Sequence, residues 1–162
     1  MNETISINNG AFLFKREANF SEIQKIENIK ADILGGIEKL LELENLRVEL
    51  YRKHIQHNQE LFGDKFEDVQ KAADSNFAEL DEDAKKNVRK YYDNKYYRQC
   101  VFVVNQISDV SEIAELIVLC EKKPVDYDFL KQKPEDLRDI IKQVKKAKEF
   151  FREGEGGTKT VS

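Results

Sequence analysis

Cys100 and Cys120 are the only cysteines in the 162-residue chain, too few for a disulfide framework. Each lies in an apolar run, CVFVV or LIVLC, where a buried thiol is the ordinary occupant, so a reducing compartment is expected. Apolar runs are also short, a handful of residues against the roughly 20 that span a bilayer. The start, MNETISINNGAFLF, has an acid at Glu3 and neither a basic leader nor a long apolar core, which argues against a secretory signal. The expected setting is the cytoplasm, with no membrane partner. A net charge of −4 supplies no long-range attraction to nucleic acid or to an anionic surface.

Signatures of catalysis are absent as well. No glycine-rich phosphate loop follows a strand, and no serine, cysteine or carboxylate pairs with a catalytic partner at a diagnostic spacing. His54, His57 and Glu60 stand three apart on a helical pattern, which could in principle place metal ligands on one face. No cysteine is near them in sequence, however, and neither HExxH nor the carboxylate–histidine pairs of di-iron bundles occur. The acidic stretches at 79–83 and 126–128 lack the oxygen-rich register and the glycine of a calcium loop. The expectation is a protein that is not an enzyme, with no metal and no cofactor.

What the chain does have is periodic apolar content. Apolar residues make up 40%, and charged residues 36%, above the usual quarter, so one folded domain with well-solvated helix faces is expected over 1–153. Residues 4–15 read as a β-hairpin: Thr4 to Ile7 alternates, Asn9-Gly10 is a favoured two-residue turn, and Ala11 to Phe14 supplies the second strand. A two-stranded ribbon is marginal alone and must pack on helices.

A long helical pattern follows from Ser21 to Phe62, with Ser21 and Gln24 spaced as a capping box and Phe20 as its hydrophobic staple. Its stripe runs through Ile23, Ile26, Ile29, Ile33, Ile37, Leu40, Leu43, Leu46, Leu50, His54, His57 and Leu61. The mean step is about 3.5 residues, the period of a supercoiled seam. Gly35-Gly36 interrupts it, and one kinked helix is the favoured reading over two packed helices. Further helices are expected at 64–78, at 84–107 on a stripe from Ala84 through Val88, Tyr92, Tyr96, Cys100, Val103 and Ile107, and at 109–123, ended by Pro124. Tyr127, Phe129 and Leu130 are the packing residues of a linker over 125–133. Pro134 opens a last helix that stops at Gly154, leaving a flexible tail over 154–162. The fold class is therefore mainly α, a helical bundle with a long coiled-coil-like N-terminal helix and a short N-terminal hairpin.

Two surfaces suggest function. The long seam makes Ile26, Ile33, Ile37, Leu40, Leu43 and Leu50 candidates for a protein interface, including a homodimer. The segment KKNVRKYYDNKYYRQC interleaves cations with aromatics, a pattern suited to phosphates beside stacked bases. Its candidates for nucleic acid are Lys85, Lys86, Arg89, Lys90, Tyr91, Lys95, Tyr97 and Arg98; Tyr92 and Tyr96 fall on the inward stripe. The function expected first is a non-catalytic, helical protein-interaction or regulatory protein with a protein partner, of the accessory kind that phages and plasmids carry. A nucleic-acid-binding protein and a helical structural or assembly protein are the alternatives.

Overall fold

Asn9 and Gly10 reverse the chain with φ of 57° and 86°, the left-handed pair that a tight hairpin turn needs. The Ala11 N–H closes the turn on the Asn8 carbonyl at 3.1 Å. On either side, β1 (Thr4–Ile7) and β2 (Phe12–Lys15) pair antiparallel, with Ile5 opposite Phe14 and Ile7 opposite Phe12. The computed structural model describes the backbone of residues 4–161 and the side chains of residues 4–150. It is mainly α, with six helices and this hairpin extended to three strands.

The chain folds into two compact units, Met1–Ile37 with Asp109–Ser162, and Glu38–Ser108, where the sequence reads as one domain. In the first unit the third strand, β3 (Cys120–Lys122), adds antiparallel to β2 with Phe14 opposite Cys120. This corrects the expected helix over 109–123: three residues with no alternation become strand because β2 offers them an edge. Ile5, Ile7, Phe12 and Phe14 form a buried core with Leu116, Phe129, Leu137, Ile140 and Val144. Phe129 is buried as expected of the linker, whereas Leu130 is exposed. α6 (Pro134–Val161) begins on its proline, with Glu135 and Asp136 at the positive end of its dipole. Its bounds pass Gly154, the stop read from sequence, and the tail over 154–162 lies outside the residues whose side chains are described.

α1 (Phe20–Leu34) is capped by Asn19, whose side chain accepts the Glu22 N–H at 2.9 Å while the Glu22 carboxylate accepts the Asn19 N–H at 3.1 Å. The capping box thus lies two residues before the Ser21–Gln24 pair. Phe20, at 77% exposure, is no staple. α1 ends on Gly35 at φ 103°, with the Gly36 N–H donating to the Ala31 carbonyl at 2.8 Å. Gly36 follows at φ 124°, and no atom crowds either position, so it is the left-handed backbone that calls for glycine. The 21–62 segment is therefore two helices, α1 and α2 (Ile37–Phe62), and the single kinked helix is corrected.

In the second unit, α2 is followed by α3 (Phe66–Ala73), by α4 (Glu82–Tyr92), capped by Asp81, and by the start of α5 (Lys95–Leu119). The stripe read as one helix over 84–107 is broken at Asp93-Asn94. Past that break α5 runs straight through Ser108-Asp109, read from sequence as a restart. The CVFVV run is helical despite its strand propensity, as its phase implied. Leu50, Cys100, Val103 and Ile107 form the buried cluster of this unit, with Leu43 and Tyr96 packed against it. Among the described residues no helix is long and apolar enough to cross a membrane.

Candidate functional site

The second unit buries three polar side chains together. His54 and Asn58 lie one turn apart on α2 and are wholly buried; Asn94 joins them from the head of α5. Asn94 is oriented by its role as a helix cap, because its Oδ1 accepts the Tyr97 N–H at 2.9 Å. Its Nδ2 then donates to the Tyr91 carbonyl at 3.1 Å and to His54 Nδ1 at 2.9 Å. Asn58 Nδ2 donates to the carbonyls of Tyr91 and His54 at 3.0 and 3.1 Å. A ring nitrogen that accepts carries no proton, so this network assigns the neutral tautomer of His54 with its proton on Nε2.

Four tyrosines surround the imidazole. Tyr91 and Tyr97 have ring centres 4.9 Å away, Tyr51 5.6 Å, and Tyr92 lies nearly parallel at 6.2 Å. His54 Nε2 and Asn58 Oδ1 have no hydrogen-bond partner among the described residues. Burial pushes the His54 pKa below its ordinary value, and the nearby His57 adds to the shift.

Acid should therefore weaken the fold. From the unfolded-chain value of 6.5 down to the lower folded value, the unfolded chain binds a proton that the folded chain refuses. Stability is full above that window and falls by about 1.4 kcal/mol per pH unit within it. Urea unfolding from about pH 8 to about pH 5 measures this, with His54→Gln expected to flatten the slope. Equal slopes in the two proteins refute the assignment.

Tyr92 and Tyr97 also floor an open groove of about 760 Å³ on the same unit. Phe77 and Val101 add apolar walls, and Arg89, Asp93 and Arg98 stand at its polar rim. The two arginines differ. Arg98 is paired with Asp93 at 2.8 Å, whereas the Arg89 guanidinium lies 5.3 Å over the Phe77 ring and has no acidic partner among the described residues. Lys85 sits over the same ring at 5.7 Å and pairs with Glu82 at 3.7 Å. The result is a largely apolar trough with one uncompensated cation.

No protein-family model, curated protein or solved structure matches this chain. Its residues alone carry the functional reading.

Of the eight candidates for nucleic acid, the fold brings Arg89, Tyr97 and Arg98 into the groove and sets Lys85 beside it. Lys86 and Lys90 are exposed on α4, and Lys95 lies over the Tyr96 ring at 5.1 Å. Tyr91, taken as a surface residue, is 3% exposed. The break at Asp93-Asn94 resets the helical phase, so a stripe extrapolated across it exchanges Tyr91 and Tyr92. The interface candidates do not share one face either. Leu40 and Leu50 are buried and Leu43 is packed beside Leu50, Ile37 is exposed, and Ile26 and Ile33 lie half-buried on α1. Phe77, Asn58 and Asn94 were not singled out from sequence. The Asp-Asn pair between two Tyr-Tyr pairs is the signal that could have marked a cap there. Among the described residues no three histidine, cysteine or acidic side chains gather as a metal site.

Proposed function

We propose that this chain is a non-catalytic interaction protein, regulatory or accessory in role, that holds a short segment of a partner protein in the Phe77–Tyr97 groove. The observation that carries the reading is an open, aromatic-lined trough whose rim presents Arg89 without an acidic partner among the described residues. Aromatic and arginine side chains are the groups in which binding energy concentrates at protein interfaces. The complementary segment has an apolar anchor for the Phe77, Tyr97 and Val101 walls and a carboxylate for Arg89. The cytoplasm is the proposed setting, where the free thiols of Cys100 and Cys120 stay reduced.

Selection from a displayed peptide library tests the groove. Enriched peptides should combine an aliphatic or aromatic residue with Asp or Glu. Arg89→Glu and Phe77→Ala should each weaken them by about 10- to 100-fold, with the thermal midpoint unchanged. Peptides indifferent to both substitutions would defeat the reading.

A second reading has its own observation: Lys86, Arg89 and Lys90 lie exposed on one face of α4 beside a groove tyrosine, a surface suited to single-stranded nucleic acid. Fluorescence anisotropy with oligonucleotides separates the two. Salt-sensitive binding lost on reversing those three charges favours nucleic acid; no binding at low salt removes it.

A further inference from the structure

α2 has two apolar faces, and the fold uses only one. Leu40, Leu50, His54 and Asn58 are turned inward. Leu41, Val48 and Tyr51 face away from them and are 55%, 56% and 49% exposed. Exposed apolar residues scattered singly are ordinary. These are in register: positions 41, 44, 48, 51 and 55 alternate steps of three and four, the spacing of a heptad seam, with Ile55 half-buried and Glu44 the one polar member. This is a different seam from the one that sequence periodicity picks out, rotated around the helix by roughly a quarter turn or more.

We propose that α2 docks antiparallel on α2 of a second copy of this chain, about a two-fold axis level with Leu46. Charge selects both the occupant and the direction. A parallel pair sets Glu44 against Glu44 of the second copy in the middle of an apolar seam. An antiparallel pair sets Leu41 against Tyr51 of the other copy and Glu44 against Val48, so no layer holds two carboxylates. In the same register Glu38 on the flank comes level with Arg52 of the second copy, and the two-fold axis repeats that pairing at the other end. Arg47, now bonded to Glu44 of its own helix at 3.3 Å, lies near the axis, where it also approaches Glu44 of the other copy. The face is self-complementary, as a two-fold contact has to be.

Three exposed side chains per copy make a small interface, below the roughly 1,200 Å² of a standard stable one, so dissociation constants of about 10–100 μM are expected. Light scattering and sedimentation from about 5 to about 500 μM cover that range. Val48→Glu should raise the dissociation constant by at least about 100-fold while leaving the helical signal and urea midpoint unchanged, because Val48 is exposed in the single chain. Direction is read from charge reversal. Glu38→Arg and Arg52→Glu should each weaken association, and an equimolar mixture of the two variants should restore it. A monomeric mass at about 500 μM, or a Val48→Glu protein that dimerises like the original, overturns the interface. A mixture no tighter than either variant overturns the antiparallel arrangement.

Discussion

Replacing Asn94 with alanine is expected to lower the free energy of unfolding by about 3 kcal/mol, although the change removes only a small side chain. The loss has two parts. Asn94 Oδ1 caps α5 through the Tyr97 N–H, and cap deletions cost about 1 kcal/mol. Its Nδ2 supplies the 2.9 Å hydrogen bond to His54 Nδ1, a nitrogen that would otherwise be buried without a donor, at a cost of about 1–3 kcal/mol. Serine separates the parts. Asn94→Ser keeps an acceptor for the cap but cannot reach the imidazole, and should recover roughly 1 kcal/mol. Urea unfolding above pH 7, where His54 is neutral in both states, gives the numbers. A loss of under about 1 kcal/mol in the alanine variant would show that the network is not a dry, obligatory part of the fold.

The largest effect is expected in the other unit. Phe14→Ala removes a wholly buried ring that sits opposite Ile5 and Cys120 in the sheet and about 6 Å from the rings of Phe12 and Phe129. Large-to-small changes at such sites cost about 3–5 kcal/mol, from lost burial plus the cavity left behind. Phe20→Ala is the matched control. It deletes the same group where it is mostly in water, and should change stability by under about 0.5 kcal/mol. Similar losses from the two substitutions would mean that the hairpin does not close the core around Phe14.

What could be read from the sequence is what short-range chemistry dictates. The Asn9-Gly10 turn, the Asp81 cap, the Pro134 helix start and the helical CVFVV run all follow from residues within a turn or two of one another. Periodicity misleads wherever the chain changes direction without leaving the pattern. Tyr92 and Tyr96 keep a helical step across Asp93-Asn94, so the stripe looks continuous while the helix is not, and Tyr91 moves from the surface to the interior. β3 is invisible for a different reason: Cys120–Lys122 becomes strand through a partner far away in sequence. The same limit applies to the site. Arg89, Tyr97 and Arg98 stand within the basic-aromatic segment singled out by composition. The wall formed by Phe77, and the polar network of His54, Asn58 and Asn94 beneath the groove tyrosines, arise only when three separate segments meet.

One unit is a single stretch of chain, Glu38–Ser108, while the other is assembled from residues on both sides of it. On the ribosome the difference becomes one of timing. The hairpin that carries Ile5, Ile7, Phe12 and Phe14 is synthesised first, yet Leu116, Phe129, Leu137, Ile140 and Val144, which cover its apolar face, come last. At translation rates of about 5–20 residues per second the delay is on the order of ten seconds. A two-stranded ribbon is marginal through that interval. The nascent chain therefore presents four large apolar side chains near its N-terminus until synthesis is nearly done, a window in which a holding chaperone has something to hold.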